Sequence, residues 1–465
     1  MSFLTRFQSS LESLYALPEN AYYVVAYSGG IDSHVLLHCC KKLNVPLRAV
    51  HVHHGLQNVA DYWVKHCQNI CESLNIPLDV LYVDAKKMRG QSPEEAARKA
   101  RYDALQKNLV EGECLVTAQH LNDQAETLLL QLFRTASTAG LSAMPERRQF
   151  GNHIHVRPLL SFSREEIENF AEENSLHWIE DPSNQDISFD RNYIRTNLVP
   201  LLEYRWPEII TQLSTVASLQ ARNLQVLEDM AAIDLANSIK IPVFQSKVKA
   251  YDVVSVISIV SLKLLSSPRL FNVLRFWIIN SIEAGYAKTS PTRNLLEEIV
   301  KTVVYAQHDA SPVIIFSGFE FRKYQNDLYL LKPNLLKSDI ETVIKNEVDW
   351  LATSPLIFPE LNIKLIAVNK AAGGLQKNLL KENLKISFRE GGEIFHPVER
   401  QHSRSLKKLI QEAGIPPWER DTLPLLFYKD ELIAVAGLWV SRKFAARDSQ
   451  DGWVVEIERL ESSED

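Results

Sequence analysis

A chain of 465 residues outgrows a single hydrophobic core, so two or three domains are expected. Hydrophobic residues make up 46% and charged ones 23%, an ordinary globular balance, and 51 Lys and Arg against 57 Asp and Glu leave a net charge of −6. That balance excludes a protein coated in basic residues, so any polyanion site must be local.

The opening MSFLTRFQSSLESLYALP lacks a signal-peptide pattern. The closest candidate for a membrane span, VVSVISIVSLKLL (253–265), is short and broken by serines and a lysine, and reads as a buried helix. No membrane partner and a cytoplasmic location are expected. Cys39, Cys40, Cys67, Cys71 and Cys114 form no disulfide or zinc spacing and read as buried thiols in a reducing compartment.

Strand-like runs recur at YYVVAYS (22–28), LRAVHVHH (47–54), LDVLYVD (78–84), ECLVTAQH (113–120) and IHVRPLL (154–160), separated by helix-length segments. This alternation predicts an α/β domain with a doubly wound, parallel five-stranded sheet. Ser92, Pro93 and Glu95 supply a cap, a first-turn proline and the capping-box acid for a helix running to about Val110, and Ser163 with Glu166 repeats the box. Beyond Asn197, a helical pattern over 208–238 and further segments to about 305 predict a mainly helical middle domain. Strand-rich text returns at SPVIIFSGFEFRKYQNDLYLLK (311–332), and a small α+β unit with strands at 384–389 and 431–440 ends the chain. The divisions fall at 1–205, 206–345 and 346–465.

The first strand runs into SGGIDS, where Ser28, Gly29, Gly30, Ile31, Asp32 and Ser33 lead into a helix. Such a junction offers free backbone N–H groups and the positive end of the helix dipole to phosphate oxygens, and the glycines allow close approach. A loop that stabilises a migrating terminal phosphoryl group would carry GxxxxGK[ST], and no lysine is present. A cradle of amides and hydroxyls suits a pyrophosphate that leaves as a unit, which places reaction at the α-phosphorus of ATP. Asp32 would repel phosphate unless a cation lies between them, so Mg2+ is expected there.

SGGxDS after the first strand resembles the signature of the PP-loop, or N-type ATP pyrophosphatase, superfamily. HVHHGL (51–56), EEAARKARYDAL (94–105), TAQHLNDQAETLLLQLFR (117–134), GLSAM (140–144), RPLL (157–160) and DPSNQDISFDRNYIRTNLVP (181–200) narrow the resemblance to the tRNA(Ile)-lysidine synthetases. FREGGE (388–393) and LKKLIQEAGIPPWERDTLPLL (406–426) are similar to that family's C-terminal domain. The resemblance implies that ATP activates the 2-carbonyl of the wobble cytidine in a CAU anticodon and that free L-lysine then displaces AMP. The product, lysidine, pairs with A and changes the identity of tRNA(Ile) from methionine to isoleucine.

Within that frame Arg98 and Arg101, at i,i+3 on one helix, are expected on nucleotide or tRNA phosphate; on pattern alone they are a solvated basic face. Asp123 and Glu126, also at i,i+3, are expected to bind the lysine amine, with Asp123 also open to magnesium and one of the pair or a water serving as base. Asn122 stands where many relatives resemble DDQ with two aspartates, so nothing rests on that position. His54 and His120 are secondary candidates, of the kind that is more often structural. Arg191 and Arg195 are expected on nucleotide or anticodon backbone, with packing at the domain junction as the other reading. Arg404, Lys407, Lys408 and Arg420, beside Arg400, His402 and Trp418, form a local basic run able to grip tRNA backbone. Monomer and homodimer both remain open. The enzymatic alternative is a PP-loop tRNA thiolase, but such enzymes need positioned cysteines, and no CxxC pair occurs.

Overall fold

Tyr23–Ala26 (β1) sits inside a six-stranded sheet because its alternate residues are apolar on both faces, and Val24 and Val25 are fully buried. The computed structural model describes residues 1–53, 60–83, 93–134, 136–180, 182, 186–242, 248, 250–282, 290–307, 310–334, 346–370, 373–447 and 451–460. The chain divides into two compact units, the first built on Met1–Asp229 and the second on the chain from Met230 onward.

In the first unit the helix Phe3–Leu14 (α1) precedes β1. Ile31–Lys42 (α2), Leu47–His53 (β2), Ala60–Ser73 (α3), Leu78–Tyr82 (β3), Pro93–Asn108 (α4) and Cys114–Val116 (β4) follow. Leu121–Phe133 (α5), Thr138–Leu141 (α6), Arg147–Phe150 (β5), His153–Val156 (β6) and Arg164–Glu173 (α7) complete the main frame. The strand order is β3-β2-β1-β4-β6-β5. The five runs foreseen in the sequence are the parallel strands; Arg147–Phe150 adds an antiparallel edge, and the fifth run stops at Val156 instead of reaching 160.

α1, α2, α3 and α7 pack one face through Phe7, Leu36, Cys67 and Phe170, and α4 covers the other with Leu105 and Leu109. Ser163 and Glu166 close their reciprocal cap at 3.1 and 2.8 Å, as expected. His54 and Ser92, with the side chains of Pro93 to Glu95, lie outside the described residues. All five cysteines are buried and free, and burial pushes the Cys40, Cys67, Cys71 and Cys114 thiols up to about 12.

The middle of the chain carries the expected helices, including Ile209–Ala236, Ser267–Ser281 and Arg293–Ile299, and adds a five-stranded antiparallel sheet. Residues 253–265 do not form one buried helix. Tyr251–Ser258 is a strand paired with Asp327–Pro333, and only Ile259–Lys263 is helical, its start capped by Ser258. Val253, Val254, Val256 and Ile257 are β-branched, and a short apolar run of such residues fills a buried strand as well as a helix.

The last part of the chain forms three antiparallel sheets, of five, four and two strands, with Trp350, Leu365, Leu384 and Trp453 in the core of the two larger ones. Within this second unit Trp418 packs edge-on against Tyr329 at 5.1 Å, in a cluster with Val256 and Leu331. No helix among the described residues is long and apolar enough to cross a membrane.

Leu36 is fully buried between α2 and its neighbours. Leu36→Ala should cost about 2–5 kcal/mol in denaturant unfolding of the first unit; a loss below about 1 kcal/mol would show that this core relaxes freely.

Candidate active site

The SGGIDS loop and the carboxylates Asp32, Asp123 and Glu126 converge where β1 and β4 end, because parallel strands deliver their following loops to one edge of the sheet. Gly29 takes φ +88°, and a Cβ there would meet Cys67 Sγ and Ile179 Cδ1, each at 3.1 Å. Ile179 N–H donates to Gly29 carbonyl at 3.0 Å, which fixes the turn from outside. Ser33 hydroxyl donates to the Gly30 carbonyl at 2.9 Å, lies 3.0 Å from the Ser28 hydroxyl and accepts from Ser28 N–H at 3.2 Å. The loop is therefore held by its own hydroxyls. Ile31 is buried in the core, so it anchors the loop by packing.

Asp32, on the first turn of α2, accepts from Arg164 Nη1 at 2.8 Å, and its carboxylate lies 3.8 Å from His120 Nε2. The same His120 nitrogen is 3.5 Å from Asp123. One imidazole thus stands between the two carboxylates. Asn122 uses its side-chain oxygen to accept the Arg164 N–H at 3.0 Å, which ties the start of α7 to that of α5.

Glu126 is almost fully buried and lies beside Asp123 on α5. Arg195 forks onto the pair, with Nε to Glu126 at 2.6 Å, Nη2 to Glu126 at 2.9 Å and Nη2 to Asp123 at 3.0 Å. Arg191 adds a contact at 3.9 Å to Glu126 and donates to the Thr127 hydroxyl at 2.8 Å. Both arginines, expected on nucleotide or anticodon backbone or in packing at the domain junction, here meet the acids; Arg195 lies on the π-helical turn Ile194–Leu198. Burial raises Asp32 and Glu126 above the usual carboxylate range, and the nearby cations oppose it. For Asp123 burial is outweighed by His120, Arg195 and Arg191, which hold it below that range.

Arg98 is exposed on α4 with its guanidinium 5.1 Å from the Tyr102 ring centre, and Arg101 is exposed one turn on. Arg404, Lys407 and Lys408 are exposed in the second unit. Arg404 pairs with Glu412, while Lys407 and Lys408 sit opposite the buried Leu406, Leu409 and Ile410 of the helix Leu406–Glu412. Arg420 spends its Nε on the Ile415 carbonyl at 2.9 Å. Sequence reasoning missed Arg164, which is 132 positions from its partner Asp32 and carries no local signal beyond the cap beside it.

A PP-loop domain model matches residues 3–202, a TilS substrate binding domain model residues 258–329 and a TilS substrate C-terminal domain model residues 384–457. The tRNA(Ile)-lysidine synthase of Coxiella burnetii is 38% identical over 96% of this chain and 96% of its own length. That of Pectobacterium atrosepticum is 40% identical over 94% of each.

The chain belongs to the tRNA(Ile)-lysidine synthase family. The family is one of ATP-using ligases, and the PP-loop domain of this member is the part that holds the loop and the acids described above. A U34-tRNA thiolase from Methanococcus maripaludis is a remote structural likeness, at 17% identity and a TM-score of 0.40, covering 47% of this chain and 78% of that one.

Arg195→Gln would strand Glu126 as a buried charge. Because Arg195 is 40% exposed, water screens part of the loss, and the cost should be about 1–3 kcal/mol. Burial already raises the Glu126 pKa and loss of Arg195 raises it further, so the deficit should be largest near neutral pH, where the carboxylate is charged, and shrink on acidification through the carboxylate range. Melting temperatures of both proteins at several pH values check this; a deficit that grows in acid contradicts it.

Proposed function

We propose that this chain ligates free lysine to the 2-position of the wobble cytidine of CAU-anticodon tRNA(Ile), consuming ATP and releasing AMP and pyrophosphate. The single arrangement that carries the reading is the lysine-free phosphate loop and the Asp123–Glu126 pair meeting at one sheet edge through His120. In the first step the amides and hydroxyls of Ser28 to Ser33 hold the departing pyrophosphate while the cytidine oxygen attacks the α-phosphorus. Arg98 and Arg101 supply positive charge to nucleotide or tRNA phosphate.

Asp32 and Asp123 flank one imidazole and fit a hydrated divalent ion held chiefly by phosphate, since Mg2+ takes one or two carboxylates and keeps its waters. When bound, the ion would neutralise charge between Asp32 and the phosphates. In the second step Asp123 and Glu126 bind and orient the lysine amine in place of the Arg195 fork, and a carboxylate or a water takes its proton. We assign segments 1–205, 206–345 and 346–465 to catalysis, substrate binding and a further tRNA grip in the cytoplasm. Lys407 and Lys408, with Arg404 and Arg420, contact backbone phosphate.

The thiolase reading is disfavoured by the five buried, high-pKa thiols.

Purified protein given ATP, labelled lysine and an unmodified CAU tRNA(Ile) should incorporate label and form AMP and pyrophosphate; initiator methionine tRNA should not be labelled. ADP and orthophosphate as products would refute the reading. Asp32→Ala should abolish adenylate formation, whereas Glu126→Gln should slow lysine transfer at least about tenfold more than adenylation.

A further inference from the structure

A second group of charges stands on the α4 side of the same sheet. Arg98, Arg148 and Arg157 surround Tyr102, yet none of the three has a carboxylate partner among the described residues. Arg98 and Arg148 guanidinium carbons lie 5.1 and 5.4 Å from the Tyr102 ring centre. Arg148 comes from the unforeseen edge strand β5, and Arg157 follows β6.

The acceptors that hold these side chains are neutral. His155 Nδ1 accepts from Arg148 Nε at 3.0 Å and from Arg157 Nη2 at 3.4 Å. Arg157 also donates from Nη1 to the Pro145 carbonyl at 2.6 Å and from Nε to the Gln119 side-chain oxygen at 3.2 Å. His155 is fully buried, and burial together with Arg157, Arg148 and Arg98 drives its pKa far down, so the ring is an uncharged acceptor. Its other nitrogen, Nε2, lies 2.7 Å from the Thr117 hydroxyl and is left to donate to it. The Thr117 hydroxyl itself donates to Gln119.

This geometry orients two guanidinium groups without cancelling their charge. A carboxylate in place of His155 would have made a salt bridge and ended the matter. Burial, with Arg148 and Arg98 nearby, lowers the Arg157 pKa to about 10, as expected for a cation held out of water among like charges. An anion offsets their repulsion when it binds. The Nη groups of Arg148 and all of the Arg98 guanidinium make no hydrogen bond to any described residue, which leaves planar forks for phosphoryl oxygens.

We propose that Arg98 and Arg148, backed by the Arg157–His155 pair, form a phosphoryl-anion subsite separate from the SGGIDS loop. The inference rests on the ligase reading only for its two sources of phosphate: the polyphosphate of the nucleotide and the backbone of the tRNA. Arg148 then acts as an anion-binding residue outside the loop motif, and His155 as the positioning residue behind it.

The test uses Arg148→Gln and Arg98→Gln in the full chain, the latter an exposed position safe for folding, with Arg148→Lys as the charge-retaining control. Thermal shifts induced by sodium pyrophosphate and by ATP with magnesium are read beside the affinity for CAU tRNA as a function of salt. Ligand-free melting should hold or rise, because a repulsion is removed. If nucleotide is the source, pyrophosphate and ATP affinity should fall about tenfold while the salt slope of tRNA binding is unchanged. If the tRNA backbone is the source, nucleotide shifts should persist while tRNA affinity falls and its log-log salt slope drops by about one. Arg148→Lys should recover part of either loss. Unchanged affinity for all three probes, or lower ligand-free melting with unchanged ligand shifts, overturns the subsite; a wild-type protein that incorporates no label while the variants lose pyrophosphate, ATP or tRNA affinity as described counts against the ligase reading and leaves the subsite standing.

Discussion

Three carboxylates brought to one edge of a parallel sheet would repel one another and resist burial, so the first unit depends on how their charge is met. Asp32 is answered by Arg164 from α7, and Asp123 and Glu126 by Arg195 from beyond the sheet. His120 sits between the two sets. Each answer comes from a different segment, so the long connection from α7 to Arg195 is bound to the carboxylate edge by charge as well as by packing of Ile194 and Val199 on Ala125. A ligand amine or cation entering the site exchanges one positive partner for another, and no bare buried charge need form on the way.

The opposite side of the sheet uses the reverse arrangement. There the cations have no carboxylate partner among the described residues and are held by a neutral histidine, a carbonyl and an amide. Acids filled by internal cations and cations left for external anions are two ways of preparing a surface for charged substrates. Preorganisation of this kind lowers the rearrangement needed at the moment of reaction.

Local features were legible in the sequence. The phosphate loop, the five parallel strands and the Ser163–Glu166 cap all follow from spacing within a few residues, and the family motifs lay along the same segments. What the sequence hid was distant or ambiguous. Arg164 finds Asp32 across 132 positions, and no linear pattern couples them. Arg191 and Arg195 read equally as nucleotide or backbone contacts and as packing residues, and their spacing in the sequence does not tell that they meet the acids of α5. The run at 253–258 suits helix and strand alike, and its pairing with Asp327–Pro333 decided the matter. RRQF at 147–150 is too polar to announce a strand, yet as a sheet edge it needs only one covered face.

The Trp418–Tyr329 contact has a consequence for how the second unit tolerates change. The indole rests in a cluster drawn from the middle sheet, although it belongs to the segment that carries the exposed lysines. Insertions between those two regions can lengthen the connecting chain without altering the spacing of the lysines from that sheet.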